Sequence, residues 1–361
     1  MTKFHSQAFD VKDSWDWLDM AYENGWTDGV PVAPPTTERV QAVIDYLNRD
    51  PAEEIGVVPP MEGLATLEKV AINCVMAGCK PEYVPVVLAG LEASLDPAFN
   101  LNGNLSTTNP CAPLAVVGGP AVKKLGFNAG DGVFGGGARA NAAVGRALRL
   151  LYWNLGGAIP GVTAKSTLGS PARYAYCIAE NDIGLSSWEP LHVERGFKSD
   201  DSVVTMFACD SPHSVYCAGG VERVISYFAT RLTILGTLHF HRAGEILVVV
   251  GPRVVRLLEQ EGYSKRKFHE VLYERARWDL EALSQLPGVV GGDDYLGQWW
   301  GDIHGAPSVD SMPDKHRLPL VHKPEEILVV ASGGDGQWWG AVCPGWGNFS
   351  QAVSRRIEFP D

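Results

Sequence analysis

The sequence predicts an α/β protein, and three observations carry that expectation. Leu114–Leu125 reads LAVVGGPAVKKL and Ile246–Leu257 reads ILVVVGPRVVRL, with six of the twelve positions identical. A short β-branched apolar run that ends in Gly-Pro and enters a helical pattern is a buried strand feeding a helix. Next, EILVV occurs twice, at 245–249 and 326–330, the second copy running into Ser332-Gly333-Gly334. Last, these runs alternate with amphipathic helical patterns, the arrangement that sets helices on a sheet. Similar helix starts precede the two long copies, Leu67-Glu68-Lys69-Val70 and Val221-Glu222-Arg223-Val224. Arg-bearing helices follow them, over 139–153 and 265–283. The expected architecture is internally duplicated, with two strand–Gly-Pro–helix lobes packed as one body. Lobe one covers about 25–155, a connector 155–200, and lobe two about 201–350.

The remaining elements follow from local chemistry. Trp15, Leu18 and Tyr22 recur at helical spacing over 13–24, and Gly25 ends that helix. TDGVPVAPPT, from Thr27 to Thr36, is too rich in proline for a helix and reads as extended chain. A second short helix covers 37–48, and Val57–Pro60 is a strand or turn. A long helical stretch over 65–94 starts behind Thr66 and breaks at Ala77-Gly78-Cys79-Lys80-Pro81, since Gly suits a helix end and Pro a first turn. Ser202–Ala208 reads as a further strand.

Bulk properties narrow the function classes. The 361 residues are 45% hydrophobic and 20% charged, which permits a large core and excludes a mostly disordered chain. The net charge of -12 disfavours nucleic acid and anionic lipid as partners, so any anionic ligand requires local basic residues. Seven cysteines without a C-x-x-C pair fit neither a disulfide framework nor a zinc knuckle. The acidic N-terminus has no apolar core of a signal peptide, and no run reaches the roughly 18 apolar residues of a membrane span. A cytoplasmic protein that forms homo-oligomers is expected.

The strongest local signal for chemistry is NAGDGVFGGGARANAAVGRALR, from Asn128 to Arg149. Glycine-rich chain entering a helix near Ala138 offers free N–H groups to an anion. Gly135, Gly136 and Gly137 let the backbone approach, while Arg139, Asn141 and Arg146 supply side chains; a guanidinium fork matches carboxylate or phosphate. The pattern is neither a Walker loop nor a placed dinucleotide fingerprint, and no cofactor motif is present. Thr107 and Asn109, in the turn before the first repeated strand, are further binding candidates.

Four residues are candidates for catalysis. Cys79 stands beside Lys80 at a helix mouth, where a thiol can act as nucleophile. Glu180 and His192 lie in a loop-like segment and suit proton transfer. His213 follows a strand end, the usual mouth of a crevice in α/β folds. His239 and His241, if extended, point the same way and form a metal-ligand spacing. The duplicated GQWWG at 297–301 and 336–340 reads as an aromatic wall, a partner surface, or loop anchors.

The series TDGVPVAPPT, ATLEKVAINCVMAGCKPEYVPVVLAGLEA, FGGGARANAAVGRALRL and WEPLHVERGF resembles an uncharacterised bacterial family often encoded beside small UGSC-motif (seleno)proteins. The resemblance spans about Gly25 to Gly347. It implies a two-component enzyme whose Cys- or selenocysteine-bearing partner supplies the thiol, since this chain has no G-S-C motif. The leading expectation is an enzyme, or enzyme subunit, for a small carboxylate or phosphate, working by elimination or hydrolysis with acid/base or thiol chemistry. Two alternatives stand beside it: a non-catalytic subunit that grips its partner through the Trp-rich loops, and a metal-dependent enzyme using His239 and His241.

Overall fold

The computed structural model describes residues 4–185, 187–240, 242–279, 282–283, 285 and 317–360. Side-chain caps start its first helices. Asp13 accepts the N–H groups of Trp15 and Asp16 and opens α1 (Ser14–Glu23); Thr36 accepts from Arg39 and opens α2 (Thr37–Leu47). β1 (Glu54–Val58) and β2 (Gly63–Thr66) form an antiparallel hairpin. Thr66 then caps α3 (Leu67–Met76) through the Lys69 N–H. The helical stretch breaks where expected. Gly78 takes φ 83°, Pro81 opens a 3-10 turn, and α4 (Val84–Leu95) leaves at 118° to α3. There follow α5 (Leu101–Ser106), β3 (Ala112–Gly118), α6 (Ala121–Leu125), α7 (Arg139–Asn154), β4 (Cys177–Ala179), α8 (Leu191–Glu194) and β5 (Val203–Cys209).

The later elements are β6 (His213–Tyr216), α9 (Val221–Leu232), β7 (Ile246–Val250), α10 (Pro252–Gln260) and α11 (Lys265–Arg275). The helix expected over 265–283 therefore ends early: Ala276 leaves helical geometry, and β8 (Arg277–Asp279) pairs with β9 (Arg317–Pro319). Then come β10 (Ile327–Ala331), β11 (Trp339–Cys343) and β12 (Val353–Arg356). Among the described residues no single helix is long and apolar enough to cross a membrane.

The chain is an α/β protein with two compact units, whose boundaries differ from the expected lobes. One unit holds the chain up to Glu180, His192–Ala208 and the chain from Ala352; the other holds Asn181–Leu191 and Cys209–Gln351. The SVVTMFA strand, expected in lobe two, is β5 and belongs to the first unit's sheet, order β12-β5-β3-β4. The expected connector supplies β4, parallel to β3. The second sheet has order β10-β7-β11-β6, with β10 parallel to β7 and β11 antiparallel to both β7 and β6. The fourth strands are exchanged. β6 follows β5 in the chain but pairs with β11, while β12 follows β11 but pairs with β5. Strand partners are set by long-range packing, so a boundary drawn from local pattern misses such an exchange.

Each sheet has its own core. In the second unit Val248, Val250, Val329 and Val342 of the strands meet Phe228, Phe268 and Leu272 of α9 and α11, all fully buried. In the first, Leu114 and Val117 of β3, Val86 and Leu91 of α4, and Val144 and Leu151 of α7 are fully buried. Each such side chain stabilises by roughly 1.5–3 kcal/mol. α7 approaches the sheet through Gly145: a Cβ there would lie 2.7 Å from the Tyr176 nitrogen. That close approach places the arginines of α7 beside the chain entering β4.

Candidate functional site

Arg146, Arg149 and Trp153 occupy one face of α7, at spacings of three and four. Arg146 ties down the proline-rich loop. It donates to Pro31 O at 2.7 Å, Val30 O at 2.7 Å and Asp28 Oδ1 at 2.9 Å. Asp28 is thereby held with its side chain only 2% exposed, and its Oδ2 has no hydrogen-bond partner.

Arg149 is 9% exposed. Among the described residues its one hydrogen bond runs from Nη2 to Ala158 O, 3.0 Å, and its Nε is buried without a partner. A guanidinium has five N–H donors, so most of its capacity is unused. Its cation stacks 5.2 Å from the Trp153 ring centroid. Burial, then the neighbouring charge of Arg173, lowers its pKa to about 10, with Asp28 pulling the other way.

Arg173 closes the 3-10 turn Pro171–Arg173, which Ser170 caps through the Ala172 N–H. Its Nη2 donates to Cys111 O at 2.7 Å and to Asn109 O at 3.4 Å, and its Nε is also buried without a partner. Burial lowers its pKa as well. Arg149, Arg173 and Asp28 line one pocket of about 430 Å³, with Trp153 and Tyr174 as aromatic wall and Ser166 and Thr167 as polar rim. The volume suits a small molecule. Such an arrangement can receive an oxyanion on two guanidinium forks.

The structure distributes the other candidates. Gly135, Gly136 and Gly137 are exposed. Arg139 opens α7 but its Nε donates to Gly78 O at 3.0 Å, bracing the α3–α4 break. Asn141 is buried, receiving the Asn128 N–H and donating to Asn128 O and Cys177 O. These polar groups therefore hold loops in place, as Arg146 does. Thr107 and Asn109 shape the turn before β3: Thr107 Oγ1 accepts the Asn109 N–H, and Asn109 Oδ1 accepts the Cys111 N–H. Asn109 reaches the pocket wall through its carbonyl, under Arg173.

Glu180 and His192 converge at the opposite end of β3. A Cβ on Gly118 would lie 3.1 Å from His192 Nδ1 and 3.7 Å from Glu180 Oε2, so both side chains close over the strand at this glycine. They are 6% and 2% exposed. Cys111, under Arg173, precedes β3 and Gly118 ends it. The carboxylate–imidazole pair is therefore a strand length from the arginine pocket, about 20 Å at roughly 3.3 Å per residue.

Cys79 is buried at the helix junction, its Sγ 3.4 Å from Ala143 O. Burial first, then Cys79, raises the Cys74 and Cys177 thiols. His213 opens β6 in the other unit and pairs there with Val342. Burial and then Arg231 lower its pKa. His239 lies in a 3-10 turn, Leu238–Phe240, so the extended geometry expected for H-x-H is not adopted. Its Nε2 bonds Gly244 O at 3.0 Å and Glu245 O at 3.1 Å, and burial lowers its pKa to about 4. His241 lies outside the described residues, as does the first GQWWG. Among the described residues no group of three His, Cys, Asp or Glu is placed to hold a metal ion. In the second GQWWG, Trp338 stacks under Arg253 at 4.5 Å, while Trp339, half exposed, stands 4.9 Å from Tyr216.

Sequence reasoning missed Arg149, Arg173 and Asp28 as a group. Arg149 stood in the quoted motif as its last residue, one turn beyond Arg146. Arg173 sits in a segment without periodicity, and only the fold brings it to α7. Compared with known proteins, the sequence matches no protein-family model and no curated protein.

Proposed function

We propose that this chain is an enzyme, or the substrate-binding subunit of one, that takes a small carboxylate- or phosphate-bearing compound in the pocket of Arg149 and Arg173. The observation that carries the reading is Arg149, a guanidinium 9% exposed that lines a pocket of about 430 Å³ and, among the described residues, has no carboxylate hydrogen-bond partner. An unpaired ion in such surroundings costs several kcal/mol, and a bound oxyanion offsets that cost. Among the described residues Asp28 is the one carboxylate lining the pocket, so it is the side chain placed to assist a bound substrate as acid or base in an elimination or hydrolysis. The test is isothermal titration of the full chain with acetate, succinate and inorganic phosphate. At least one should saturate, and Arg149→Met should weaken it tenfold or more. Saturation unchanged by the substitution would refute the assignment.

A second reading rests on the thiols. All seven are buried. A reaction that needs an accessible thiol would draw it from a Cys- or selenocysteine-bearing partner protein, as the family resemblance implies. Affinity capture from the source cell followed by mass spectrometry should return that partner; capture that returns no such protein removes this reading.

A further inference from the structure

We infer that the ligand of the Arg149–Arg173 pocket is a dianion, a dicarboxylate or a phosphomonoester, rather than a simple monocarboxylate. The inference rests on the reading of this pocket as an anion site and adds the valence of its ligand.

The pocket carries an imbalance of charge. Arg149 and Arg173 line the pocket, and Arg146 stands behind it on Asp28. Asp28 is the sole carboxylate lining the pocket among the described residues. Three guanidiniums against one carboxylate leave two positive charges unmatched. Asp28 gives its Oδ1 to Arg146. Among the described residues neither Arg149 nor Arg173 donates to a carboxylate: their hydrogen bonds end on the carbonyls of Ala158, Asn109 and Cys111, with a longer one to Asn104. Carbonyls satisfy donors but do not neutralise charge. Burial first, and then the like charge of Arg173, disfavours the charged form of Arg149. One negative charge would relieve half of this imbalance and two would remove it.

The donors are arranged to match. Among the described residues Arg173 and Arg149 both donate through Nη2 alone. Each fork retains N–H groups for an oxyanion. The hydroxyl-bearing Ser166 and Thr167 line the same pocket. Phosphate dianion and dicarboxylate share this chemistry, so the experiment must separate them.

The experiment is isothermal titration of the full chain at pH 8 and fixed ionic strength with matched probes. Succinate is compared with butyrate, and ethyl phosphate with diethyl phosphate, which are dianion and monoanion in each pair at this pH. The expected result is that one dianion binds at least tenfold tighter than its monoanionic partner. Succinate winning identifies a dicarboxylate site, and ethyl phosphate winning a phosphate site. Arg149→Met and Arg173→Met should each shrink that ratio to threefold or less. If butyrate or diethyl phosphate binds as tightly as its dianion while Arg149→Met still abolishes binding, the dianion inference is overturned and the anion pocket stands. If no probe binds wild type, or Arg149→Met changes nothing, both readings fail together.

Discussion

Arg149 and Arg173 line one pocket as like charges, 24 residues apart in sequence, and among the described residues neither donates a hydrogen bond to a carboxylate. A pocket that exists only to stabilise the fold has no need of that arrangement. Replacing even a buried ion pair with apolar residues of similar volume is often neutral or stabilising by about 1–4 kcal/mol, and a buried guanidinium that donates only to a carbonyl has less Coulombic energy to lose. Arg149→Met is thus expected to unfold in urea at a concentration no lower than wild type while losing anion binding. Chemical denaturation followed by tryptophan fluorescence measures the first property and titration the second. A large loss of stability would mark Arg149 as structural.

Asp28 has the opposite profile. Its Oδ1 holds Arg146 in a pair with side chains 2% and 15% exposed. Removing one member of such a pair costs about 3–5 kcal/mol. Asp28→Asn should therefore lower the melting temperature. It should also tighten binding of a dianion in protein that remains folded, because the one carboxylate that lines the pocket among the described residues is gone. Unchanged stability would mean that the loop Thr27–Val30 does not depend on the ion pair.

Gly145→Ala is expected to destabilise by about 1–3 kcal/mol through overpacking, since its Cβ would lie 2.7 Å from the Tyr176 nitrogen. The strand β4 and the pocket arginines move with that contact, so anion affinity should fall with stability. Thermal melting and titration of the same preparation test both effects.

Acid should destabilise the second unit. Burial holds His239 and His269 down to about 4, with Lys265 a smaller cause for His269, from an ordinary value near 6.5. The unfolded chain takes up these protons first. The stability they contribute is complete above about pH 6.5 and is lost as pH falls toward about 4. Asp210 acts in the reverse sense: burial raises it to about 6 from 3.8, so its contribution is present at low pH and lost as pH rises through 6. Urea midpoints measured from pH 4 to 7 should rise with pH, because two histidines outweigh one carboxyl. His239→Gln, which keeps a donor for the Gly244 and Glu245 carbonyls, should flatten the slope. A slope of the opposite sign would contradict the burial of both imidazoles.

Thiol chemistry at Cys79 makes a separate prediction. With all seven cysteines buried, native protein should react with an aromatic disulfide reagent at well below one thiol per chain over minutes. All seven should react in guanidinium chloride. Rapid native labelling at Cys79 would restore it as a nucleophile candidate.

Much of the architecture was readable because it rests on local signals. Thr66 capping α3, Gly78 with Pro81 breaking the helix, and the apolar runs that became β3, β7 and β10 all follow from short-range chemistry. The exchange of β6 and β12 was hidden, since hydrogen-bond partners more than a hundred residues away leave no mark on either strand. The site divides in the same way. The Asn128–Arg149 stretch points correctly to α7 as a basic helix, yet Arg139, Asn141 and Arg146 turn out to hold loops, because each finds carbonyl or side-chain partners nearby. Which arginine keeps unused donors depends on the neighbours that folding brings, and sequence alone does not supply them. His239 shows the same limit: an H-x-H spacing implies one face only in extended chain, and the chain there is a 3-10 turn.

The most direct test of the anion pocket is anomalous diffraction from a crystal of the full chain soaked in selenate, a dianion with a strong scatterer. The account predicts an anomalous peak within hydrogen-bond distance of both the Arg149 and Arg173 guanidiniums. A crystal in which selenate occupies only other places, such as the exposed Gly135–Gly137 loop, or none at all, would contradict it.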